Sequence, residues 1–419
     1  MNKNLFLLLL PLATALTGHP AWGADSAHAG HGSTGQKSIP VDREKMWQSA
    51  LARAPLSASA TFDAKGRLWL ATVKDGAVWV SHSENRGKNF STPVRVNITP
   101  EHVAAEGENR PKIIAAANGH VYVSWTQSLT QPFSGHVRFS RSLDEGRTFS
   151  VPITVNTDRQ AISHRFESMT IDPQGRIHLV WLDKREQSMA QAKSEAYIGN
   201  AVYHAVSKNG GASFDAERKI ADHSCECCRT ALAVDSDGTP VVFWRHIFGK
   251  NIRDHAMLRV DGKSSLTQVS RDGWEVEGCP HHGPALAIGS DGIYHFAWFT
   301  DAARQPGLFY SRSKDQGQSF SLPMHFGNVE AQAAHPYVLG LNERVYLVWK
   351  EFDGAKATIR ALISRNRGAS WSAPQTIATT ASASDHPLLI GDGNKVYLSW
   401  NTGQEGFRLV EITEPAEAP

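Results

Sequence analysis

Cysteine is scarce in this sequence: only four occur among 419 residues, and the first is Cys225 and the last Cys279. Four cysteines are too few for a disulfide-stapled scaffold. An excess of charge of either sign is also missing, because 43 Lys and Arg residues stand against 41 Asp and Glu residues. A nucleic-acid-binding protein needs basic residues to neutralise phosphates, so this balance argues against that class.

Long hydrophobic runs are confined to the beginning of the chain. An apolar stretch at residues 5–16 follows a basic residue, is too short to span a bilayer and leads into small residues. This arrangement predicts a cleavable signal peptide over residues 1–24, with an uncleaved membrane anchor as the alternative. We therefore expect a soluble protein that is periplasmic or secreted. It should have a flexible leader at residues 25–37 and one domain over residues 38–419.

Sustained 3.6-residue periodicity is absent as well, which leaves helices a minor role. Instead, an apolar strand that ends in tryptophan recurs six times, after turns rich in Asp, Gly and Asn that are typical of hairpins. Short strands in units of about 50 residues are typical of a β-propeller with one four-stranded sheet per unit. The six strands are residues 121–125, 177–181, 240–244, 294–298, 345–349 and 396–400.

A second pattern, Ser-x-Asp/Asn-x-Gly-x-x-aromatic, occurs five times in phase with these strands. It suits a compact loop, because Asp or Asn can bond its own backbone, Gly takes a positive φ and the aromatic ring fills the space beneath. The pattern resembles the Asp-box, or BNR, repeat of the sialidase superfamily of propellers, and this resemblance covers nearly the whole mature chain. The five segments are residues 83–90, 142–149, 207–214, 313–320 and 364–371.

The number of repeating units predicts an all-β fold, a single propeller of seven blades. The strand at residues 68–72 fits the repeating position without its tryptophan, which brings the count to seven. Sialidases have six blades, so six is the alternative that the resemblance implies. The last unit, residues 387–412, has room for only three strands. We expect residues 38–43 to supply its missing outer strand, because a closed ring leaves no free edge.

The residues just before the inner strands should lie together at one mouth of the central channel. Reading back from each hairpin turn gives one such position per blade, with arginines on one side of the ring and sulfur or imidazole groups on the other. The positions are Arg110, Arg165, Cys228 with Arg229, His282, His335 and His386.

Cysteine and histidine collect at this predicted mouth. Thiolates and imidazoles suit Cu(I) and Zn(II), whereas Ca²⁺ and Mg²⁺ prefer oxygen ligands. We therefore predict a monomeric protein that binds or handles a soft metal, with copper as Cu(I) first and zinc second. Its expected partners are the metal ion and another exported metal-handling protein. The predicted ligands are Cys225, Cys227, Cys228, Cys279, His281, His282, His335 and His386.

These cysteines also have a simpler interpretation. In an oxidising compartment, Cys225 or Cys227 can form a disulfide with Cys279 and crosslink units four and five. The leader histidines, His28 and His31, fit either a metal-collecting arm or a solvated tail.

The arginines at the mouth suggest a different function. Sialidases hold a substrate carboxylate with three arginines, because guanidinium groups bind carboxylates in bidentate fashion. The resemblance implies that role for Arg110, Arg165 and Arg229, with Tyr337 as nucleophile and Glu167 as its acidic partner. The sialidase Arg-Ile-Pro motif is absent, so we expect no sialidase activity; the arginines would then pair with acidic neighbours. A propeller that only binds glycans or proteins is the third functional class.

Overall fold

The computed structural model describes residues 55–278 and 280–413. These residues form seven antiparallel sheets, six of four strands and one of three, so the predicted seven-blade propeller is confirmed. None of the helices in this part of the chain has the length and apolar character needed to cross a membrane. The predicted signal peptide, leader and outer strand at residues 38–43 lie outside the described residues and stay predictions.

The blades follow one another along the chain. Blade 1 contains β1 (Ser59–Phe62), β2 (Leu68–Lys74), β3 (Ala77–Ser83) and β4 (Val94–Arg95). Blade 2 contains β5 (Lys112–Ala115), β6 (Val121–Ser128), β7 (Gly135–Ser142) and β8 (Ile153–Thr154). Blade 3 contains β9 (His164–Ile171), β10 (Ile177–Asp183), helix α1 (Arg185–Ala192), β11 (Asn200–Ser207) and β12 (Arg218–Ser224).

The remaining four blades repeat this plan. Blade 4 contains β13 (Ala231–Val234), β14 (Pro240–Arg245), β15 (His255–Arg259) and β16 (Thr267–Gln268). Blade 5 contains β17 (Ala285–Ile288), β18 (Tyr294–Thr300), β19 (Gly307–Ser313) and β20 (Met324–Phe326). Blade 6 contains β21 (Ala334–Leu341), β22 (Arg344–Phe352), β23 (Ala357–Ser364) and β24 (Gln375–Thr380). Blade 7 contains β25 (Leu388–Gly391), β26 (Val396–Thr402) and β27 (Gly406–Glu411).

The first strands of the blades form a closed inner ring. Each contacts the first strand of the next blade, and β25 contacts β1. The side-chain amide of Asn401 in blade 7 donates to the carbonyl of Leu56, at 2.7 Å, across this joint. The ring places the residues that precede β5, β13, β17 and β25 at the same end of the channel, together with the first residues of β9 and β21.

The second strand of each blade is buried on both faces, because it lies between two neighbouring sheets; all seven residues of β10 are buried. This explains its near-continuous apolar sequence. The repeated tryptophans of these strands are among the largest fully buried side chains, as expected for residues that pack between blades. The Trp181 indole also donates to Asp183, at 2.8 Å.

The five loops that match the second sequence pattern share one set of hydrogen bonds. In the loop after β7, the Ser142 hydroxyl accepts from the N–H of Gly146 at 2.8 Å, and Asp144 accepts from the N–H of Thr148 at 2.9 Å. Gly146 has φ of 76°, and a β-carbon there would overlap Trp69. Equivalent bonds occur in the loops beginning at Ser83, Ser207, Ser313 and Ser364.

Candidate functional site

A carboxylate on the loop before β5 lies at the centre of the channel mouth. Glu108 accepts hydrogen bonds from the guanidinium of Arg229 and the N–H of Gly283, both at 2.8 Å. The Nδ1 atoms of His335 and His386 lie 3.1 and 3.4 Å from its Oε1. Glu108 therefore joins blades 4 to 7 to the loop of blade 2, and we call it and these two histidines the axial cluster.

The axial cluster keeps Glu108 ionised. Burial raises the pKa of this carboxyl, but the charge of Arg229 and the hydrogen bonds from His335 and His386 hold it well below its usual range. Gly283 is required at its position, because a β-carbon there would overlap both Arg229 and Glu108.

The imidazoles of the mouth form a stack. The ring centroids of His335 and His386 are 3.4 Å apart with an interplanar angle of 16°. His282 continues the stack 4.6 Å from His335, and Phe299 closes it 4.0 Å from His282. All three histidines are buried. The structure thus brings these three predicted ligands together.

A second carboxylate, Glu167 in β9, has different surroundings. Its Oε2 accepts a hydrogen bond from the Thr126 hydroxyl at 2.7 Å, and its Oε1 lies 3.8 Å from the Lys112 ammonium. Burial raises the pKa of Glu167 despite that positive charge. Burial also lowers the pKa of Lys112, whose charge interacts with both Glu167 and Glu108. Two buried carboxylates with opposite pKa shifts therefore interact with the charge of one ammonium.

The three predicted arginines are paired with acidic side chains of the chain itself. Arg110 makes two parallel bonds to Asp385, at 2.6 and 2.7 Å, and so links blade 2 to blade 7. Arg165 donates to Glu106 at 2.7 Å, and Arg229 is the partner of Glu108. This is the pairing with acidic neighbours that we expected if the arginines do not bind a substrate carboxylate.

Tyr337, the predicted nucleophile, lies in β21 opposite Val348 and is partly buried. Burial raises the pKa of its phenol, and the charges of Arg229 and Arg110 oppose that rise. The tyrosine therefore belongs to the same end of the channel as the axial cluster.

Three cysteines form a separate group, which we call the cysteine triad. The sulfur atoms of Cys225, Cys227 and Cys228 all lie within 4.8 Å of one another, and all three residues are buried. The Sγ atoms of Cys225 and Cys228 are 3.7 Å apart. Arg253 donates to Sγ of Cys225 at 3.1 Å, from the connection between β14 and β15.

The triad favours one thiolate. Hydrogen bonds from Cys227 and Cys228, together with the charge of Arg253, hold the pKa of Cys225 well below its usual range although burial opposes them. Burial and the neighbouring Cys225 raise the pKa of Cys228. Arg245 is fully buried beside this group, and its backbone carbonyl accepts a hydrogen bond from the N–H of Cys225 at 2.9 Å.

The predicted metal ligands thus fall into two groups among the described residues. The triad holds sulfur only, whereas His335 and His386 face Glu108. His281 is partly buried, and burial lowers its pKa while the charges of Glu108 and Cys225 oppose that change. Cys279 lies outside the described residues. A single site with all eight ligands stays a prediction.

Sequence reasoning missed the acidic members of the mouth. Asp385 directly precedes His386, and Glu106 and Glu108 lie within four residues of Arg110. Their nearness to predicted mouth residues was a usable signal. The contact between Arg253 and Cys225 left no such signal, because it joins residues 28 positions apart.

No protein-family model matches the chain, and no curated protein matches its sequence. Among solved structures, an ulvan lyase of a polysaccharide lyase family, bound to -[GlcA(1-4)Rha3S]-, has a TM-score of 0.52 and 10% identity over 85% of this chain and 94% of the lyase. An α-L-arabinofuranosidase from Fusarium graminearum has a TM-score of 0.50 and 12% identity over 74% of this chain and 93% of the enzyme. A Hadza microbial sialidase has a TM-score of 0.49 and 13% identity over 83% of this chain and 72% of the sialidase. At these identities the likeness to the lyase and the arabinofuranosidase concerns the fold alone.

Proposed function

We propose that this protein is a carbohydrate-active propeller that hydrolyses a glycosidic bond at its channel mouth. One observation carries the proposal: the mouth holds two buried carboxylates in opposite environments. Glu108 accepts several hydrogen bonds, one of them from the positively charged guanidinium of Arg229. Glu167 faces one hydroxyl and a more distant ammonium. The Thr126 hydroxyl lies 2.7 Å from Glu167 and 3.0 Å from the side chain of Asn109, the residue that follows Glu108 in the sequence.

Such a pair provides the two groups that glycoside hydrolysis needs. The carboxyl with the raised pKa, Glu167, would protonate the leaving oxygen of the glycosidic bond. The carboxylate with the lowered pKa, Glu108, would stay ionised and stabilise the positive charge that develops on the sugar ring. In this assignment His335, His386 and Arg229 position Glu108 rather than the substrate.

The relatives in fold support a carbohydrate over other substrate classes. The arabinofuranosidase and the ulvan lyase are both named for action on saccharides. The pairing of the three arginines argues against sialic acid, because its carboxylate would have to displace Asp385, Glu106 or Glu108.

The test is a hydrolysis screen on polysaccharides and aryl glycosides, with arabinan, ulvan and a sialic acid substrate included. We expect new reducing ends from at least one substrate, none from the sialic acid substrate, and a rate that falls as pH rises through the raised pKa of Glu167. Glu167→Gln and Glu108→Gln should each lower the rate by about 100-fold or more.

Glu217→Gln is the matched control, since Glu217 is also a carboxylate paired with an arginine, Arg185, but lies outside the mouth. Its rate should equal that of the wild type. Products with a sugar double bond would indicate elimination instead of hydrolysis. Binding of glycans without any turnover would place the protein in the non-catalytic class.

A further inference from the structure

The cysteine triad has no part in the proposed hydrolysis and has a chemistry of its own. Three buried sulfurs within 4.8 Å of one another form a compact set of soft ligands. Soft thiolates select Cu(I) and Zn(II) over oxygen-preferring ions. We propose that Cys225, Cys227 and Cys228 bind one Cu(I) ion as a three-sulfur site.

The local sequence makes this geometry possible. Cys225 follows the end of β12, and the segment to Cys228 turns so that the first and last sulfurs meet at 3.7 Å. The N–H of Cys225 is fixed by the carbonyl of Arg245 at the end of β14. The sulfurs are therefore held by the packing of blades 3 and 4 and need little rearrangement to converge on one ion.

The charges around the triad favour a monovalent ion. Three thiolates with Cu(I) carry two net negative charges, and two guanidinium groups are placed to offset them. Arg253 donates to Sγ of Cys225 at 3.1 Å, and the buried Arg245 acts on Cys225 and Cys228 by its charge. With Zn(II) the same groups would carry a net positive charge, and a buried charge without compensation is costly.

The second group of candidate ligands is less suited to the same ion. Glu108 already receives the guanidinium of Arg229, and the stacked rings of His335 and His386 lie 3.4 Å apart. The Nδ1 atoms of both imidazoles face Oε1 of Glu108, and a carboxylate oxygen is a hard ligand that suits Cu(I) less well than sulfur. Among the described residues, the Cu(I) ligands that we propose are thus those of the triad.

The experiment is an anaerobic titration of the reduced protein with Cu(I), in competition with a coloured Cu(I) chelator. We expect one Cu(I) per chain and a copper X-ray absorption spectrum with three sulfur neighbours. Cys225→Ser, Cys227→Ser and Cys228→Ser should each weaken binding by more than about 100-fold, beyond the loss typical of residues outside the ligand shell.

Arg253 is a positioning residue in this proposal. Arg253→Met should weaken Cu(I) binding about tenfold while leaving three sulfurs in the absorption spectrum, and Arg253→Lys should restore most of the loss. Should the serine variants fail to fold, mass spectrometry of the wild type decides: Cu(I) should protect these three thiols from alkylation.

Several results would overturn the proposal. One is that the fully reduced protein takes up no Cu(I), or binds Zn(II) stoichiometrically and no Cu(I). Another is an absorption spectrum in which copper has nitrogen or oxygen neighbours instead of sulfur, or has four sulfur neighbours. A disulfide that persists in place of metal uptake would support the crosslinking alternative. None of these results depends on glycan hydrolysis, because both the titration and the absorption spectrum are measured without substrate.

Discussion

The axial cluster and the cysteine triad both bury ionisable groups at one end of the propeller, but they balance charge differently. In the axial cluster the charge of Glu108 is met by Arg229, an N–H and imidazoles of the same chain. In the triad, sulfurs that can each carry a charge lie within 4.8 Å of one another, beside guanidinium groups. The first arrangement stabilises the fold and tunes a carboxylate, whereas the second is suited to a ligand.

The strongest test of this comparison removes Glu108. Glu108→Ala leaves Arg229 without its buried carboxylate, and we expect a loss of about 3–5 kcal/mol in the free energy of unfolding. Urea denaturation measures it. Glu145→Ala is the control, because Glu145 pairs with Lys65 and Arg67 at the surface, and it should change stability little. A loss for Glu108→Ala no greater than that of the control would contradict the stabilising role.

The joint between the ends of the ring should give the next largest effect. Arg110→Met removes both hydrogen bonds to the Asp385 carboxylate and leaves that buried charge unpaired. We therefore expect a loss of about 3 kcal/mol in the free energy of unfolding. Adding Asp385→Leu should recover part of this loss, because the uncompensated charge is then gone. Denaturation of the two variants and the wild type measures the effect, and strict additivity of the two changes would argue against a shared pair.

The two carboxylates of the mouth should respond to pH with opposite signs. The lowered pKa of Glu108 stabilises the fold above the unfolded value of about 4.3, and this contribution is lost as pH falls through the folded pKa. The raised pKa of Glu167 acts the other way, and its contribution is lost as pH rises through the folded pKa.

Glutamine variants of Glu108 and Glu167 should reveal these opposite effects of pH on stability. Glu108→Gln should be less stable than the wild type at pH 7 and approach it in acid. Glu167→Gln should match the wild type in acid and become more stable than it as pH rises through the folded pKa of Glu167. Denaturation across this range is the measurement. Parallel pH profiles for the two variants would show that the carboxylates do not differ.

The smallest expected effect tests whether the axial cluster and the cysteine triad are separate sites. His335→Gln lies in the axial cluster, so it should change Cu(I) affinity by less than about twofold, far from the loss expected for the triad serines. The same chelator competition measures it. A large loss of affinity in this variant would join the two groups into the single site that the sequence predicted.

The parts of this protein that were predictable are those that repeat along the chain. The tryptophan-ended strands and the Ser-x-Asp/Asn-x-Gly loops encode each blade locally, so the fold followed from their spacing. The mouth residues followed from connectivity, since Arg110, His335 and His386 all precede or begin inner strands. What did not follow was which of them would meet. Glu108 reaches His335 across the ring, and no local pattern reports a contact between residues 227 positions apart.

The same difference in sequence separation sets the order in which the two regions can form. The triad needs contacts over 28 residues at most, so it can assemble once blade 4 is complete. The bonds from Glu108 to His335 and from Arg110 to Asp385 span 227 and 275 residues. High contact order makes such contacts late steps of folding. A growing or truncated chain that ends before blade 6 therefore contains the sulfurs of the triad but cannot contain the carboxylate environment of the mouth.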